Sequence, residues 1–165
     1  APVDLNPSRQ QFTAVLLYDQ TSGTYEDVTA ACASSAVGDV FHSSSGALIS
    51  RVADALYLGM DSPFHYSRVA LSTAGVGGAV DWQYWDGASW VSVSPDNGAY
   101  HLTAGLHELL LWPDLQSTPA DWQKTAVNGD SRYWVRVRVS GDFITAPVGS
   151  QLTALPDTGA VITEG

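Results

Sequence analysis

Val80-Asp-Trp-Gln-Tyr-Trp-Asp-Gly-Ala-Ser-Trp90 is the stretch on which the fold turns. Val80, Trp82 and Tyr84 alternate with Asp81, Gln83 and Trp85, the period of two that sends successive side chains to opposite faces of a strand. Asp86-Gly87 supplies a turn, and Trp90 to Val93 returns as the second strand of a hairpin. Because Trp82 and Trp85 differ by an odd number of positions, one of these indoles is expected to face away from a core packed on one side of the strand, or to stand at a bulge.

Reading outward from the hairpin, His65 to Thr73 alternates in the same way, and Ala74-Gly-Val-Gly-Gly78 connects the two. A three-stranded meander is therefore expected. Upstream, Phe12 to Tyr18 is an apolar run closed by Asp19-Gln-Thr-Ser-Gly23, and Thr24 to Thr29 returns beside it. Ala55 to Gly59 forms a short strand that ends at Asp61-Ser-Pro63, since proline cannot donate to a central ladder. Between them, Ala30 to Ser50 offers small residues with few apolar anchors.

Downstream, Pro95-Asp-Asn-Gly98 reads as a turn, and Tyr100 to Thr103 and Leu106 to Trp112 as strands. A helical turn is expected at Pro119, with Thr118 as cap and Asp121 complementing the dipole. Asn128-Gly-Asp130 turns the chain into Arg132 to Ser140, a half-buried strand with Tyr133, Val135, Val137 and Val139 on one face and Trp134, Arg136 and Arg138 on the other. Phe143 to Ala146 and Ser150 to Leu155 complete the pattern. Short strands between turn signals predict an all-β antiparallel sandwich, jelly-roll-like, with one short helical turn. An extended N-terminal arm is expected over residues 1–11, one sandwich domain over 12–155, and a C-terminal tail over 156–165.

Composition narrows the function classes. Apolar residues make up 45% of the 165, with six tryptophans and seven tyrosines, so the chain folds rather than remaining disordered. Seventeen carboxylates against seven lysines and arginines leave a net charge of −10, a field that repels phosphate backbones and makes nucleic acid an unexpected partner. No stretch reaches the ~18 apolar residues of a spanning helix, and the first residues lack the pattern of a secretion signal, so a soluble chain without a membrane partner is expected. A single cysteine, Cys32, excludes an internal disulfide.

Catalytic signals are poor. The three glutamates, Glu26, Glu108 and Glu164, show no spacing that pairs an acid with a base. His42, His65, His101 and His107 lack metal-ligand spacing, and read as surface or strand histidines. Cys32 reads as a small buried hydrophobe. Gly75-Val-Gly-Gly78 has no Lys-Ser/Thr and no helix behind it, so it is a turn rather than a phosphate loop, and Asp96-Asn-Gly98 lacks the ligands of a calcium loop. No catalytic residue, metal or cofactor is expected.

The aromatic residues are the strongest feature, and two readings of them stand: rings packed in the core, or rings sharing an exposed face as an interface hot spot or a sugar-stacking platform. Arg136 and Arg138 beside Trp134 form either a solvated sheet face or a subunit contact.

The words Leu56-Tyr-Leu-Gly59, Pro63-Phe64, Trp82-Gln-Tyr-Trp-Asp-Gly-Ala-Ser-Trp90, Asp121-Trp122 and Tyr133-Trp-Val-Arg136 resemble a module of structural proteins from tailed bacteriophages, baseplate and other virion proteins among them. The likeness spans about half of the chain, from Leu56 to Arg138. The stretch Pro113 to Asp121 is longer than that pattern, and the N-terminal third has no counterpart in it. The resemblance implies a β-sandwich with no known catalytic residues, used as a building or attachment part, and marks Trp82, Tyr84, Trp85, Gly87, Trp90, Trp122, Tyr133, Trp134 and Arg136 as its core or interface positions. The expectation is a virion structural protein on the particle surface, capsid decoration or cement first and tail or baseplate second. It would contact major capsid or tail proteins and form a homo-oligomer, a trimer first. The rival is a carbohydrate-binding module for host adhesion.

Overall fold

The computed structural model describes residues 10–34, 36–93, 101–103, 106–110 and 118–156. Eleven strands and one helix follow in the order β1 (Gln10–Gln11), β2 (Ala14–Asp19), β3 (Thr24–Asp27), α1 (Thr29–Ala33), β4 (Ala55–Met60), β5 (Phe64–Thr73), β6 (Ala79–Trp85), β7 (Trp90–Val93), β8 (Leu106–Leu110), β9 (Thr125–Val127), β10 (Asp130–Gly141) and β11 (Val148–Pro156). They form two antiparallel sheets, the all-β sandwich expected from the alternation. The larger runs β3-β2-β4-β10-β6-β7 with β9 paired to β10, and the smaller runs β1-β11-β5-β8.

The core lies between the sheets. From the larger sheet it takes Val15 and Leu17 of β2, Leu56 and Leu58 of β4, Val80, Trp82 and Tyr84 of β6, and Val135, Val137 and Val139 of β10. Phe64, Val69, Leu71, Leu152 and Ala154 answer from the smaller sheet. Apart from Phe64, which stands an odd five positions before Val69 on β5, each strand contributes an every-second-residue set, as the period of two predicts.

Alternation predicts facing, and it does not predict pairing. β6 pairs with β7 as expected, but β5 pairs with β11 and β8 in the other sheet, so the three-stranded meander is corrected to a hairpin plus a crossover. The glycine-rich connection makes that crossing. A Cβ on Gly75 or Gly78 would come within 2.6 or 2.4 Å of the Phe143 ring, so only glycine lets residues 74–78 close over that side chain. Phe143 to Ala146 is accordingly no strand; it contributes one bridge, Val76 to Thr145.

The helical turn expected at Pro119 is a simple turn closed by Trp122 N–H to the Pro119 carbonyl at 3.2 Å. Asp121 accepts from the Tyr84 hydroxyl at 2.8 Å, and Gln123 N–H donates to the Trp85 carbonyl at 3.0 Å; these bonds draw the segment onto the β6–β7 hairpin. The only helix among the described residues is α1, in the stretch with few anchors. Asp27 accepts from the Thr29 amide and hydroxyl there, and the Thr29 hydroxyl oxygen in turn accepts from Val15 N–H. Gln10 and Gln11, placed in the N-terminal arm, instead pair with Ala154 and Thr153, and residues 1–9 of that arm lie outside the described residues. Pro156, placed in the tail, ends β11. The turn at Pro95 to Gly98 lies outside the described residues, as does most of the loop from Pro113; residues 101–103 form no strand.

Two buried polar side chains hold loops in place. Asp54, 2% exposed, accepts from the backbone N–H groups of Gln20, Ser50 and Arg51. His42 takes the edge strand β3 by its Thr24 carbonyl at 3.1 Å, while its Nδ1 accepts from Ser44 N–H. Beside it, Ser43 donates amide and hydroxyl to the Glu26 carboxylate. The 42–47 loop thus lies against the β3 edge.

β10 departs most from its reading as half-buried. Its inner valines are in the core, and Trp134 on its outer face is also fully buried. The indole lies over Gly59, its partner across β4, and a Cβ there would sit 2.5 Å from two ring carbons. Gly59→Ala is expected to lower stability by about 1–3 kcal/mol, the usual cost of overpacking a filled site, measured as the shift in the urea midpoint. A midpoint equal to wild type would show that the indole is not wedged there.

Candidate functional site

The outer face of the larger sheet carries what the core leaves over. Ala14, Leu16, Ala55, Tyr57, Val127 and Trp134 form a second buried cluster, with Tyr18 and Trp90 packed at its rim. Cross-strand register makes this a band: Tyr18 stands opposite Tyr25, Tyr57 opposite Arg136, Arg136 opposite Gln83, and Trp85 opposite Trp90.

The rings touch in sequence across the sheet. Tyr18 and Tyr25 have centroids 4.8 Å apart, Tyr25 and Tyr57 6.0 Å, Tyr57 and Trp90 5.9 Å, and Trp90 and Trp85 5.5 Å. Trp134 lies beneath, 6.1 Å from Tyr57 and edge-on, its Nε1 donating to the Thr125 and Asp130 carbonyls. Tilted and edge-to-face pairs of this kind each contribute ~0.5–1.5 kcal/mol beyond area, so the band is a fixed surface. Arg136 completes it. The guanidinium lies 4.3 Å from the Trp90 ring centroid and Nε donates to Gln83 Oε1 at 2.7 Å. Asp81 accepts from Gln83 Nε2 at 2.9 Å and from the Ser92 hydroxyl at 2.8 Å.

The nine positions marked in the sequence therefore divide. Trp82, Tyr84, Trp122 and Trp134 are buried, and Tyr133 packs against the core. Trp122 joins them, 5.1 Å from Phe64 and 5.5 Å from Tyr133, and donates Nε1–H to the Trp134 carbonyl. Gly87, at φ +99, makes the hairpin turn, where a Cβ would meet Gln123 at 2.9 Å. Trp85, Trp90 and Arg136 stay half-buried on the outer face, where Trp134 also points but is covered. The split of Trp82 from Trp85 follows the odd spacing. Tyr18, Tyr25 and Tyr57 also belong to the face; Tyr57 sits in an unbroken apolar run that gives no facing signal, and Leu16-Leu-Tyr18 hides Tyr18 in the same way.

Among the described residues no group of His, Cys, Asp and Glu is placed to hold a metal. Cys32 is buried, and burial first, then Asp39 and Asp27, pushes its thiol up to about 12. His42 and His101 hold loops, the latter accepting from Val80 N–H. No family model matches the chain, and neither a curated protein nor a solved structure matches it.

Two phenols report on burial. Burial, then the hydrogen bond to Asp121 and its charge, raises Tyr84 from 10.0 to about 12. Burial first, and the neighbouring Tyr57 and Tyr18, raise Tyr25 likewise to about 12, with Arg136 opposing. A raised folded-state value means that the fold favours the neutral phenol, so this stabilisation is complete below the unfolded value of 10.0 and is lost as pH climbs through about 12. Alkaline absorbance titration should show two late-ionising phenols, one absent in Tyr84→Phe and the other in Tyr25→Phe. Full ionisation of all tyrosines by about pH 11 would contradict this.

Proposed function

We propose that the chain is a non-catalytic structural component of a tailed-bacteriophage virion, a capsid decoration or cement protein first and a tail or baseplate part second, which docks through the aromatic outer face of its larger sheet. The observation that carries the docking reading is Arg136 stacked on Trp90 beside Trp85, Tyr18 and Tyr25. Trp, Tyr and Arg are the residues that dominate interface energetics, above all where packing has already ordered them. The virion assignment rests on the likeness of the Trp82–Trp90 hairpin and the Tyr133–Arg136 strand to phage structural modules. Partners in this reading are major capsid or tail proteins and copies of the chain itself, a trimer first.

A second reading, a host-glycan module, draws on one observation: Gln83, Asp81 and Ser92 line up beside the rings with hydroxyl-seeking groups. The ring geometry favours protein instead, because Trp85 and Trp90 meet at 67° and the guanidinium already covers one face of Trp90, leaving no flat platform.

Mass spectrometry and electron microscopy of purified particles test the assignment. Trp85→Ala is expected to fold and to cut incorporation into particles at least about tenfold, the consequence of losing a hot spot of ~2 kcal/mol. Trp90→Ala should do the same with some loss of stability. Normal incorporation of both variants, or glycan binding that both abolish while incorporation persists, would overturn the docking reading.

A further inference from the structure

Six arginines serve a chain with seventeen carboxylates, and two on β10 are treated differently by the fold. Arg132 is consumed internally, paired with Asp61 and with Asp130. Arg136 is held but not consumed. Its Nε is tied to Gln83 and its flat face to Trp90, while among the described residues no oxygen accepts from its two terminal nitrogens. Asp81, one strand away on β6, is already engaged by Gln83 and Ser92.

We infer that this oriented guanidinium is a carboxylate receptor, and that the protein docking on the face sets one Glu or Asp carboxylate against the terminal nitrogens of Arg136, in the guanidinium plane and beside the Trp90 ring on which it stacks; the inference rests on the docking reading. A guanidinium offers parallel N–H donors that match the two oxygens of a carboxylate, which a point-charge ammonium cannot do. Fixing the long side chain beforehand removes most of the rotamer entropy that such a bond ordinarily costs. The half-buried aromatic surroundings lower the local dielectric and strengthen the pair. Charge selects the rest of the partner. At −10 overall the chain repels polyanions, so the occupant is a single carboxylate flanked by apolar side chains that cover Trp85 and Tyr25. An acidic tract or a phosphate chain does not fit that description.

Nuclear magnetic resonance titration of the intact chain tests the assignment with three probes: a short capped peptide with one glutamate between leucines, its glutamine counterpart, and glucuronate. The glutamate peptide should shift the Trp85 and Trp90 indole N–H and the Arg136 Nε–H signals, and bind at least about tenfold more tightly than the glutamine peptide. Arg136→Lys, which keeps the charge and loses the fork, should remove that preference, with a modest drop in the unfolding midpoint from the lost Trp90 stack and Gln83 bond. Gln83→Ala should reduce it by releasing Nε, and covers the case in which the lysine variant folds poorly. Equal binding of the two peptides, or a preference unchanged by either variant, overturns the proposal. So does tighter binding of glucuronate, which would give the site to sugars. Failure here with Trp85→Ala still blocking particle incorporation removes the carboxylate alone; loss of both results removes the docking reading as well.

Discussion

The packing of one indole on one glycine organises the larger sheet. Trp134 points away from the core, yet it is as buried as any core residue because Gly59 leaves a flat strand surface for it and β9 folds over its edge. β10 consequently carries large apolar groups on both faces, valines inward and tryptophan outward. That two-sided strand is the joint between the interior and the outer band. Tyr57 rests against the indole on one side, and the ring row from Tyr25 to Trp85 extends from there. If the indole had solvent above it, the outer rings would be isolated surface aromatics with no common floor.

The words that resemble a phage module are explained mostly as scaffold. Gly87 turns the hairpin, Gln123 and Asp121 bind its Trp85 carbonyl and Tyr84 hydroxyl, and Trp122 closes onto the Trp134 carbonyl. Widely separated words thus meet in one place and brace one another. What is left on the outer face is small: Trp85, Trp90 and Arg136, joined by Tyr57 of the Leu56–Gly59 word and by Tyr18 and Tyr25, which belong to no word of the pattern.

The fold class was legible because facing is a local property. Val80, Trp82 and Tyr84 declare an inward face whichever strand lies beside them, and Asn128-Gly129 declares a tight turn, with φ of 51° and 84° at its two residues. Pairing is not local. Nothing in Val69 to Thr73 distinguishes β11 from β6 as a neighbour, and the role of Gly75 and Gly78 depends on Phe143, which lies more than sixty residues further on. Of the site, the hairpin tryptophans were readable from their odd spacing. Tyr18 and Tyr57 were not, since an unbroken apolar stretch looks the same whether its outer face is covered or exposed, and Tyr25 stands alone among polar residues in Thr24-Tyr-Glu-Asp27, with no apolar alternation to give it a face.

His42 and Ser43, seated against Thr24 and Glu26, have a further consequence. A bare border strand invites another molecule to continue the hydrogen-bonded ladder, the first step toward fibrous aggregation when many identical chains crowd together. Here a short loop of the same chain occupies that border with the His42 imidazole on the Thr24 carbonyl and with the Ser43 amide and hydroxyl on the Glu26 carboxylate. A molecule approaching from this side finds the β3 border already taken by the loop, which blunts that border as a template for strand addition.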